Sequence, residues 1–441
     1  IWLAGTLSIT AMAAFSTFFV NLSLGWEYVF GLVFIWAGIA SVIMALKFGK
    51  WVATVGAAIR ILLIAFFTLT VLIYAGEHGL HGFGGGAFKP TWLVFLAAAP
   101  ILIFNLEGFE LPSAASEEMV NPKRDVPFAV LRSGIGTLLF YGIPVLAILL
   151  VLPPSRLSNV GGFLDALQQV FVVYGGHLTS SGVVLTGAGT VLADIAAIGV
   201  IIGLLSSAVT WLIGSDRAQA VAGYDGAAPR AFGYFSKRLG TPIVVNLVSG
   251  LVSTIVLVLT LTLTSGNAAK YFSATLGVVI SMVTIVYLLI FPSVIKLRYS
   301  HPDVPRPYLI PGGKVGLWTA GILTTAWCAL TTVAIIYPGI GTAHPDDSLP
   351  SGFEHQRLEY TLSQVIPLVV MILIGLLFYA LGAPTRRQAR ADAASSEAVP
   401  DEAPSSEASS SEAPSSEASP SETTSSETTS SETTSSDTTS G

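Results

Sequence analysis

Four glutamates lie close together at the end of an apolar run, in the stretch FNLEGFELPSAASEEMV at 104–120. A carboxylate is costly to place inside a bilayer, and acids in membrane segments usually mark a substrate or ion pathway or a proton relay. The alternative is a kinked helix whose acids reach water at the inner interface. We favour a site within the membrane for Glu107 and Glu110, and the interface for Glu117 and Glu118.

The segment around these acids cannot form one straight membrane-spanning helix. Residues 92–104 would extend only about 20 Å as a helix and residues 92–120 about 43 Å, against about 30 Å of hydrocarbon. Gly108 frees the backbone and Pro112 lacks an amide donor, so we predict a break at 105–108 and a second half-helix from Phe109. Unwound backbone at this depth must face protein or a watery cavity, where its polar groups can bind a substrate or an ion.

The composition indicates that membrane helices make up most of the chain. Of its 441 residues, 52% are hydrophobic and only 11% are charged, with a mean hydropathy of +0.71. Ten apolar runs of about 20 residues therefore predict an all-α polytopic membrane protein with ten spans. The predicted spans lie near 1–22, 27–46, 51–75, 92–120, 129–152, 185–214, 241–264, 271–293, 315–337 and 360–382.

The distribution of basic residues predicts the orientation of these spans. Alternate loops place sixteen Lys and Arg residues on one side and four on the other. By the positive-inside rule the first side is cytoplasmic, so residue 1 and the chain end are both predicted to lie inside.

The segment 386–441 is predicted to be a disordered, acidic cytoplasmic tail, separate from the membrane domain at 1–385. Residues 391–441 contain 11 acids and no Lys or Arg, whereas residues 1–390 carry a net charge of +5. An acid recurs every five residues from Glu397 to Asp437. This spacing scatters the charges around a helix axis, and few of the side chains are apolar enough to bury. The alternative is that the tail contacts the basic loops or a partner.

Three stretches resemble motifs of the amino acid-polyamine-organocation superfamily. FNLEGFE and SEEMVNPKRDVPFAV, within 104–130, resemble its sixth-helix signature, in which an aromatic, a glycine and a glutamate precede an Asn-Pro-basic-basic turn. GSDRAQAVAGYDGAAPRAFGYFSKRLGTP at 214–242 and HPDVPRPYLIPGG at 301–313 are similar to the loops after the family's eighth and tenth helices. The resemblance covers residues 1 to about 385, and the last loop resembles the glutamate/GABA-antiporter-like branch.

This resemblance implies a LeuT-like inverted-repeat fold of twelve helices, of which the ten predicted spans would be the third to the twelfth. The first two helices would then be missing. The family's first helix is also broken and grips the carboxylate and amino groups of the substrate. We therefore expect transport from the parent protein and not from this polypeptide alone.

The resemblance also assigns roles to residues at the predicted break. Phe104 would be an aromatic lid above the bound substrate, although an ordinary lipid-facing or core-facing Phe is the alternative. The pocket would be lined, through backbone groups, by Asn105, Leu106, Glu107 and Gly108. The positive end of the following half-helix would favour an anionic group.

Two charged residues are assigned functional roles by the same resemblance. Glu110 would act in gating or pH sensing as a protonatable switch. Arg60 lies about 14 Å from the inner end of its span, too deep for its side chain to reach water easily. Sodium-independent relatives carry a lysine at the similar position in place of a bound sodium ion, so Arg60 would be a fixed cation surrogate. The alternative is a structural ion pair, and arginine could not itself release a coupling proton.

The predicted span 185–214 contributes three weaker candidates. Asp194 could face the cavity or lie near the outer end of its helix, and the second position is favoured. Ser206 and Ser207 could bind an ion, or they could hydrogen-bond to the carbonyls of the preceding helical turn.

Together these features favour a secondary active transporter that moves amino acids or related amines across the cell membrane by alternating access. The alternative is a non-transporting membrane subunit or an inactive fragment of such a transporter. An enzyme is not expected, because the spans contain no constellation of nucleophile and base. We expect no cofactor or metal, because phosphate-binding and Cys/His motifs are missing from the sequence. The expected partners are a small amino acid substrate and membrane lipid, without nucleic acid, and the oligomeric state stays open.

Overall fold

The computed structural model describes residues 1–44, 49–79, 91–108, 120–151, 162–179, 182–263, 268–306 and 308–397. Ile1–Arg390 form one compact unit. A second unit, Ala391–Gly441, is described only over its first seven residues, 391–397.

The described residues are mostly helical, with one short β-hairpin. A π-helical turn, Leu3–Leu7, leads directly into the first α-helix. The elements follow in the order α1 Ser8–Phe18, α2 Leu24–Ile43, α3 Gly49–His78, α4 Trp92–Phe104, α5 Pro122–Val151, α6 Gly162–Val170, β1 Gly176–Thr179, β2 Gly182–Leu185, α7 Ala188–Tyr224, α8 Ile243–Leu263, α9 Ala268–Ser300, α10 Gly313–Ile336, α11 Arg357–Leu381 and α12 Ala383–Glu397.

Eight of the described helices are long and apolar enough to cross a membrane: α2, α3, α5 and α7 to α11. The chain is therefore a multi-pass membrane protein. At the predicted spans 1–22 and 92–120, the described residues hold shorter apolar helices, Leu3–Phe18 and Trp92–Phe104. Long apolar side chains such as Leu289 and Leu376 are exposed along the spans, as on a surface that faces lipid.

Helices α5, α7 and α9 each extend by seven or more residues beyond a predicted limit. Helix α7 continues to Tyr224, so part of the stretch that the sequence assigned to a loop is helical. Helix α5 begins at Pro122, before the predicted span 129–152, and includes Pro127. Proline is tolerated at position 122 because the first amides of a helix have no carbonyl partner, whereas Pro127, in the second turn, lacks the amide that would bond to the Lys123 carbonyl.

A hairpin and a terminal helix also differ from the sequence-based expectation. Strands β1 and β2 pair antiparallel with Gly176 opposite Leu185 and Thr179 opposite Gly182. Gly176 and Gly182 have φ values of 141° and 148°, which glycine adopts readily. Helix α12 includes residues 386–397 of the predicted disordered tail, and residues 398–441 lie outside the described residues.

The interior of the compact unit is built around two apolar clusters. The first joins the beginning of the chain to α2, α8 and α9 through Ile35, Leu257 and Tyr271. The second joins α3, α6 and α7, with Phe67 and Phe171 fully buried. These clusters fix the helices on which the candidate site residues lie.

Candidate functional site

Helix α4 ends at Phe104, and residues 105–108 form a turn. The Leu106 amide donates to the Ile103 carbonyl at 2.9 Å, and the Glu107 amide donates to the Phe104 carbonyl at 3.1 Å. Such bonds to the third residue back tighten the chain relative to an α-helix. Gly108 then adopts a φ of +95°, which strongly favours glycine. The α-helix therefore ends directly before the predicted break at 105–108, and its continuation beyond the break stays a prediction. Glu110 and the predicted second half-helix lie outside the described residues.

Helix α4 is held against α10 on one side of this turn. The rings of Phe95 and Trp327 meet edge to face with their centroids 5.4 Å apart. Pro100, inside α4, lacks the amide that would bond to the preceding turn. The aromatic contact thus stabilises a helix that lacks one backbone hydrogen bond at Pro100.

Phe104 packs against an aromatic residue from the start of the chain. Its ring lies 5.0 Å from that of Trp2, at an interplanar angle of 73°. The indole nitrogen of Trp2 and the hydroxyl of Thr6 are both buried, with no hydrogen-bond partner within the described ranges. The four-residue spacing places these two polar groups on nearly the same side of the π-helical turn. The turn that contacts Phe104 through Trp2 therefore carries two buried hydrogen-bonding groups, the Trp2 indole N–H and the Thr6 hydroxyl, that bond to no described residue.

The π-helical turn is tied to α9 by side chains that bond to its carbonyls. The Tyr271 hydroxyl donates to the Ala4 carbonyl at 2.9 Å, and the Thr275 hydroxyl donates to the Gly5 carbonyl at 3.2 Å. A side chain at Gly5 would overlap Thr275, so glycine is required at this contact. π-Helical turns frequently occur at functional sites, because they redirect carbonyls away from the regular helical ladder.

Glu107 directs its carboxylate into the protein. Both carboxylate oxygens are inaccessible to solvent, and the group is close enough to Cys328 of α10 to interact with it electrostatically. Asn105 and Gly108 are half-buried, whereas Leu106 is 51% exposed and directs its side chain away from the interior. The arrangement could position a cationic or hydrogen-bonding group near Glu107.

Arg60 lies at a separate contact between α3 and α7. Its guanidinium donates to the Gly56 carbonyl and to the Ser206 hydroxyl, each at 3.4 Å. The Ser206 hydroxyl in turn donates to the Val52 carbonyl at 3.1 Å. Among the described residues no carboxylate forms an ion pair with Arg60, and Tyr141 of α5 is close enough to interact with it electrostatically.

The sequence-predicted residues thus form two groups. Phe104 to Gly108 lie at the break, while Arg60 and Ser206 lie together on α3 and α7. Ser207 is half-buried beside Ser206. Asp194 is half-buried in the second turn of α7, near the beginning of that helix. In the described ranges, no group of three or more His, Cys, Asp or Glu side chains is arranged to hold a metal ion.

Sequence comparison decides the family. The profile of the amino acid permease family matches residues 1–350, well over half of the chain. The chain belongs to this family.

Relatives of this permease include transporters with different named substrates. It is 32% identical over 234 residues to an uncharacterized transporter of Legionella pneumophila, covering 52% of the chain and 47% of that protein. It is 25% identical over 380 residues to a probable agmatine/putrescine antiporter of Lactococcus lactis, covering 85% and 75%. It is 26% identical over 279 residues to a branched-chain amino acid permease of Bacillus subtilis, covering 62% and 52%. The chain thus matches about half the length of two of these three relatives.

Sequence reasoning did not single out Trp2, Thr6 or Tyr271, which lie in or contact the first turns of the chain near Phe104. Trp2 meets Phe104 across about a hundred positions of sequence, and Tyr271 reaches Ala4 across a still longer separation. No local motif marks such contacts. The buried, unpartnered polar groups of Trp2 and Thr6 become recognisable only when the packing is known.

Proposed function

We propose that this protein is the transport core of a secondary active transporter for amino acids or related amines, which works by alternating access. The observation that carries the proposal is the end of α4 at Phe104, next to Trp2, with a non-helical turn at 105–108. In a membrane protein, non-helical backbone is tolerated where it is buried in protein or lines a cavity, and transporters use such breaks to bind substrates.

The residues around the break suit a zwitterionic or amine substrate. Phe104 would cover the apolar part of the substrate, and backbone groups of 105–108 would bind its polar groups. The Trp2 indole and the Thr6 hydroxyl would supply further hydrogen bonds, because each is buried without a partner within the described ranges. Glu107 would attract an ammonium group. Family membership supports this substrate class, and relatives are named as permeases or antiporters of amino acids and amines.

We further propose the LeuT-like inverted-repeat arrangement for the membrane domain, 1–385, with its ten spans as the third to the twelfth of that fold. The acidic tail would lie in the cytoplasm at a cell membrane. Membership of the glutamate/GABA-antiporter-like branch is supported by a 25% identical glutamate/γ-aminobutyrate antiporter of Lactococcus lactis, aligned over 230 residues. Glu110 would be the gating or proton-sensing residue, so Glu110→Gln is expected to flatten the pH dependence of uptake.

The proposal can be tested by substrate uptake into proteoliposomes. The full-length protein would be reconstituted with a panel of radiolabelled amino acids and amines, with and without a pH gradient. Phe104→Ala is expected to raise the KM of the transported substrate about twofold to tenfold, because an aromatic contact contributes roughly 0.5–1.5 kcal/mol. Phe95→Ala is the matched control, since it removes a ring from the same helix but on the side that packs against Trp327.

A change in KM specific to Phe104→Ala would support a substrate site at the break. Equal effects of the two substitutions would instead indicate a structural role for both rings. Failure of the folded, reconstituted full-length protein to take up or exchange any member of the panel would contradict the transport function and favour a non-transporting subunit.

A further inference from the structure

A cavity with a volume of about 490 Å³ lies between the end of α9 and the beginning of α10. Three basic residues line it: Arg298 on α9, Arg306 in the connecting loop and Lys314 on α10. Leu309, Ile310 and Leu317 supply apolar lining on the same cavity. No carboxylate occurs among the lining residues that the structure describes, and Asp303, in the same loop, forms no ion pair with the three basic residues.

The two arginines of the cavity are held in place by hydrogen bonds to backbone carbonyls. The Arg306 guanidinium donates to the carbonyls of Leu297, His301, Pro302 and Val304 at 3.0, 2.5, 3.2 and 3.0 Å, so its two terminal nitrogens are fully used and it offers an anion mainly its charge. Arg298 donates to the Tyr308 carbonyl at 3.2 Å. These neutral acceptors orient the guanidinium groups and leave their formal charges uncompensated. The positive cavity is therefore preorganised.

Lys314, in the first turn of α10, is the third basic residue that lines the cavity. Its side chain is exposed and forms no ion pair with any residue in the described ranges. A lysine at the beginning of a helix is unfavourable for the helix dipole, which prefers acids there. A nearby anion would compensate this cost.

The neighbouring aromatic residues indicate the depth of the cavity in the membrane. The Trp318 indole donates to the Tyr299 hydroxyl at 2.9 Å, and both side chains are about half exposed. Trp and Tyr concentrate at the level of the lipid headgroups. Helices α9 and α10 are both long enough to cross the membrane, so the loop that joins them lies at one membrane surface. The positive-inside rule predicts that this surface is cytoplasmic, where anionic lipids attract basic side chains.

We propose that this cavity binds an anionic phospholipid, with the headgroup phosphate among Arg298, Arg306 and Lys314 and an acyl chain along Leu309 and Ile310. Leu309 is 66% exposed. Exposed apolar surface of this kind is typical of a site that another apolar chain covers. A lipid uses both the charged and the apolar lining. Free phosphate would use only the charge. The acidic tail is a poorer occupant, because residues 391–441 contain no apolar side chain larger than Val399.

Native mass spectrometry tests this proposal. The purified full chain would be incubated with phosphatidylglycerol or with phosphatidylcholine of identical acyl chains, and the lipid that it retains would be measured. We expect the chain to retain phosphatidylglycerol preferentially. Arg298→Gln with Lys314→Gln should lower that preference about tenfold or more, since each basic residue contributes to the attraction of anionic lipid. The matched control is Lys237→Gln with Arg238→Gln, which removes two exposed charges outside the cavity. Lys314→Gln alone is the second variant. It is expected to fold normally, because Lys314 is exposed and makes no hydrogen bond or ion pair with the described residues.

Three results would overturn the proposal. One is equal retention of the two lipids by the unmodified chain. A second is an equal loss of preference in the cavity variant and the control, which would indicate a general charge effect. The third is displacement of the lipid by millimolar inorganic phosphate, or carbodiimide crosslinking of Lys314 to the tail that phosphatidylglycerol does not suppress.

Discussion

Trp2 buries an indole N–H beside Phe104 without giving it a hydrogen-bond partner in the described part of the chain. If this group binds substrate, Trp2→Phe should keep the ring contact and remove only the donor. We expect KM to rise about threefold to tenfold with little change in the maximal uptake rate, because a net hydrogen bond contributes roughly 0.5–1.5 kcal/mol. The concentration dependence of uptake by the full-length protein measures this effect.

A second tryptophan provides the control for the loss of an indole donor. Trp36 donates to the Thr254 hydroxyl at 3.2 Å, between α2 and α8. Trp36→Phe therefore removes a hydrogen bond that has no connection with the break, and its KM should stay unchanged. An unaltered KM in Trp2→Phe would leave Trp2 with only a packing role.

Arg60 is predicted to replace a bound sodium ion. Its guanidinium reaches a carbonyl and a hydroxyl, and within the described ranges no carboxylate neutralises it. We therefore expect uptake to be independent of sodium, and Arg60→Gln to reduce uptake at least tenfold while Arg60→Lys restores part of it. Uptake with sodium replaced by potassium measures this. Strong stimulation of the unmodified protein by sodium would contradict the surrogate role.

At the scale of elements, the contact of α3 with α7 depends on a glycine. A side chain at Gly56 would overlap the Ser206 side chain, whereas nothing lies within 4 Å of a Cβ added at Gly76 of the same helix. Gly56→Ala should cost about 1–3 kcal/mol by overpacking and lower the apparent Tm. Gly76→Ala should be neutral or slightly stabilising, since alanine is the better helix former.

A double substitution separates this steric effect from a general loss of folding. Ser206→Gly removes the side-chain atoms that a Cβ at position 56 would meet. Combined with Gly56→Ala, it should recover part of the lost thermal stability in a detergent melting experiment. Additive destabilisation by the two substitutions would show that the helices do not approach each other as closely at this point.

The end of α4 could be predicted from sequence because its causes are local. A run too short to cross, Gly108 and the nearby acids all act within a few residues. The π-helical turn and the Trp2 contact could not be predicted, because both depend on α9 and α4 packing against the start of the chain. The extension of α7 past residue 214 was missed because polar residues were taken to end the helix. Its buried face, which includes Asp216 and Ala220, shows that tertiary packing decided the limit.

At the scale of the whole molecule, the orientation in the membrane rests on charge alone. Sixteen basic residues against four favour one side strongly, but the tail that would follow them carries −11. Acidic residues contribute little to the orientation rule, which depends on Lys and Arg close to the spans. The acidic tail therefore should not reverse the orientation that the loops specify.

Cysteine labelling tests this orientation, because the protein has one native cysteine and that residue, Cys328, is only 3% exposed. Ala343→Cys lies in an exposed position of the loop before α11, which should face outward. Lys237→Cys lies in an exposed position of the loop before α8, which should face the cytoplasm. In intact cells, a membrane-impermeant maleimide should therefore label the first variant at once and the second only after permeabilisation. The reverse pattern would place the tail and the basic cavity on the outer side of the membrane instead of the cytoplasmic side. Equal labelling of both variants would indicate two populations with opposite orientations.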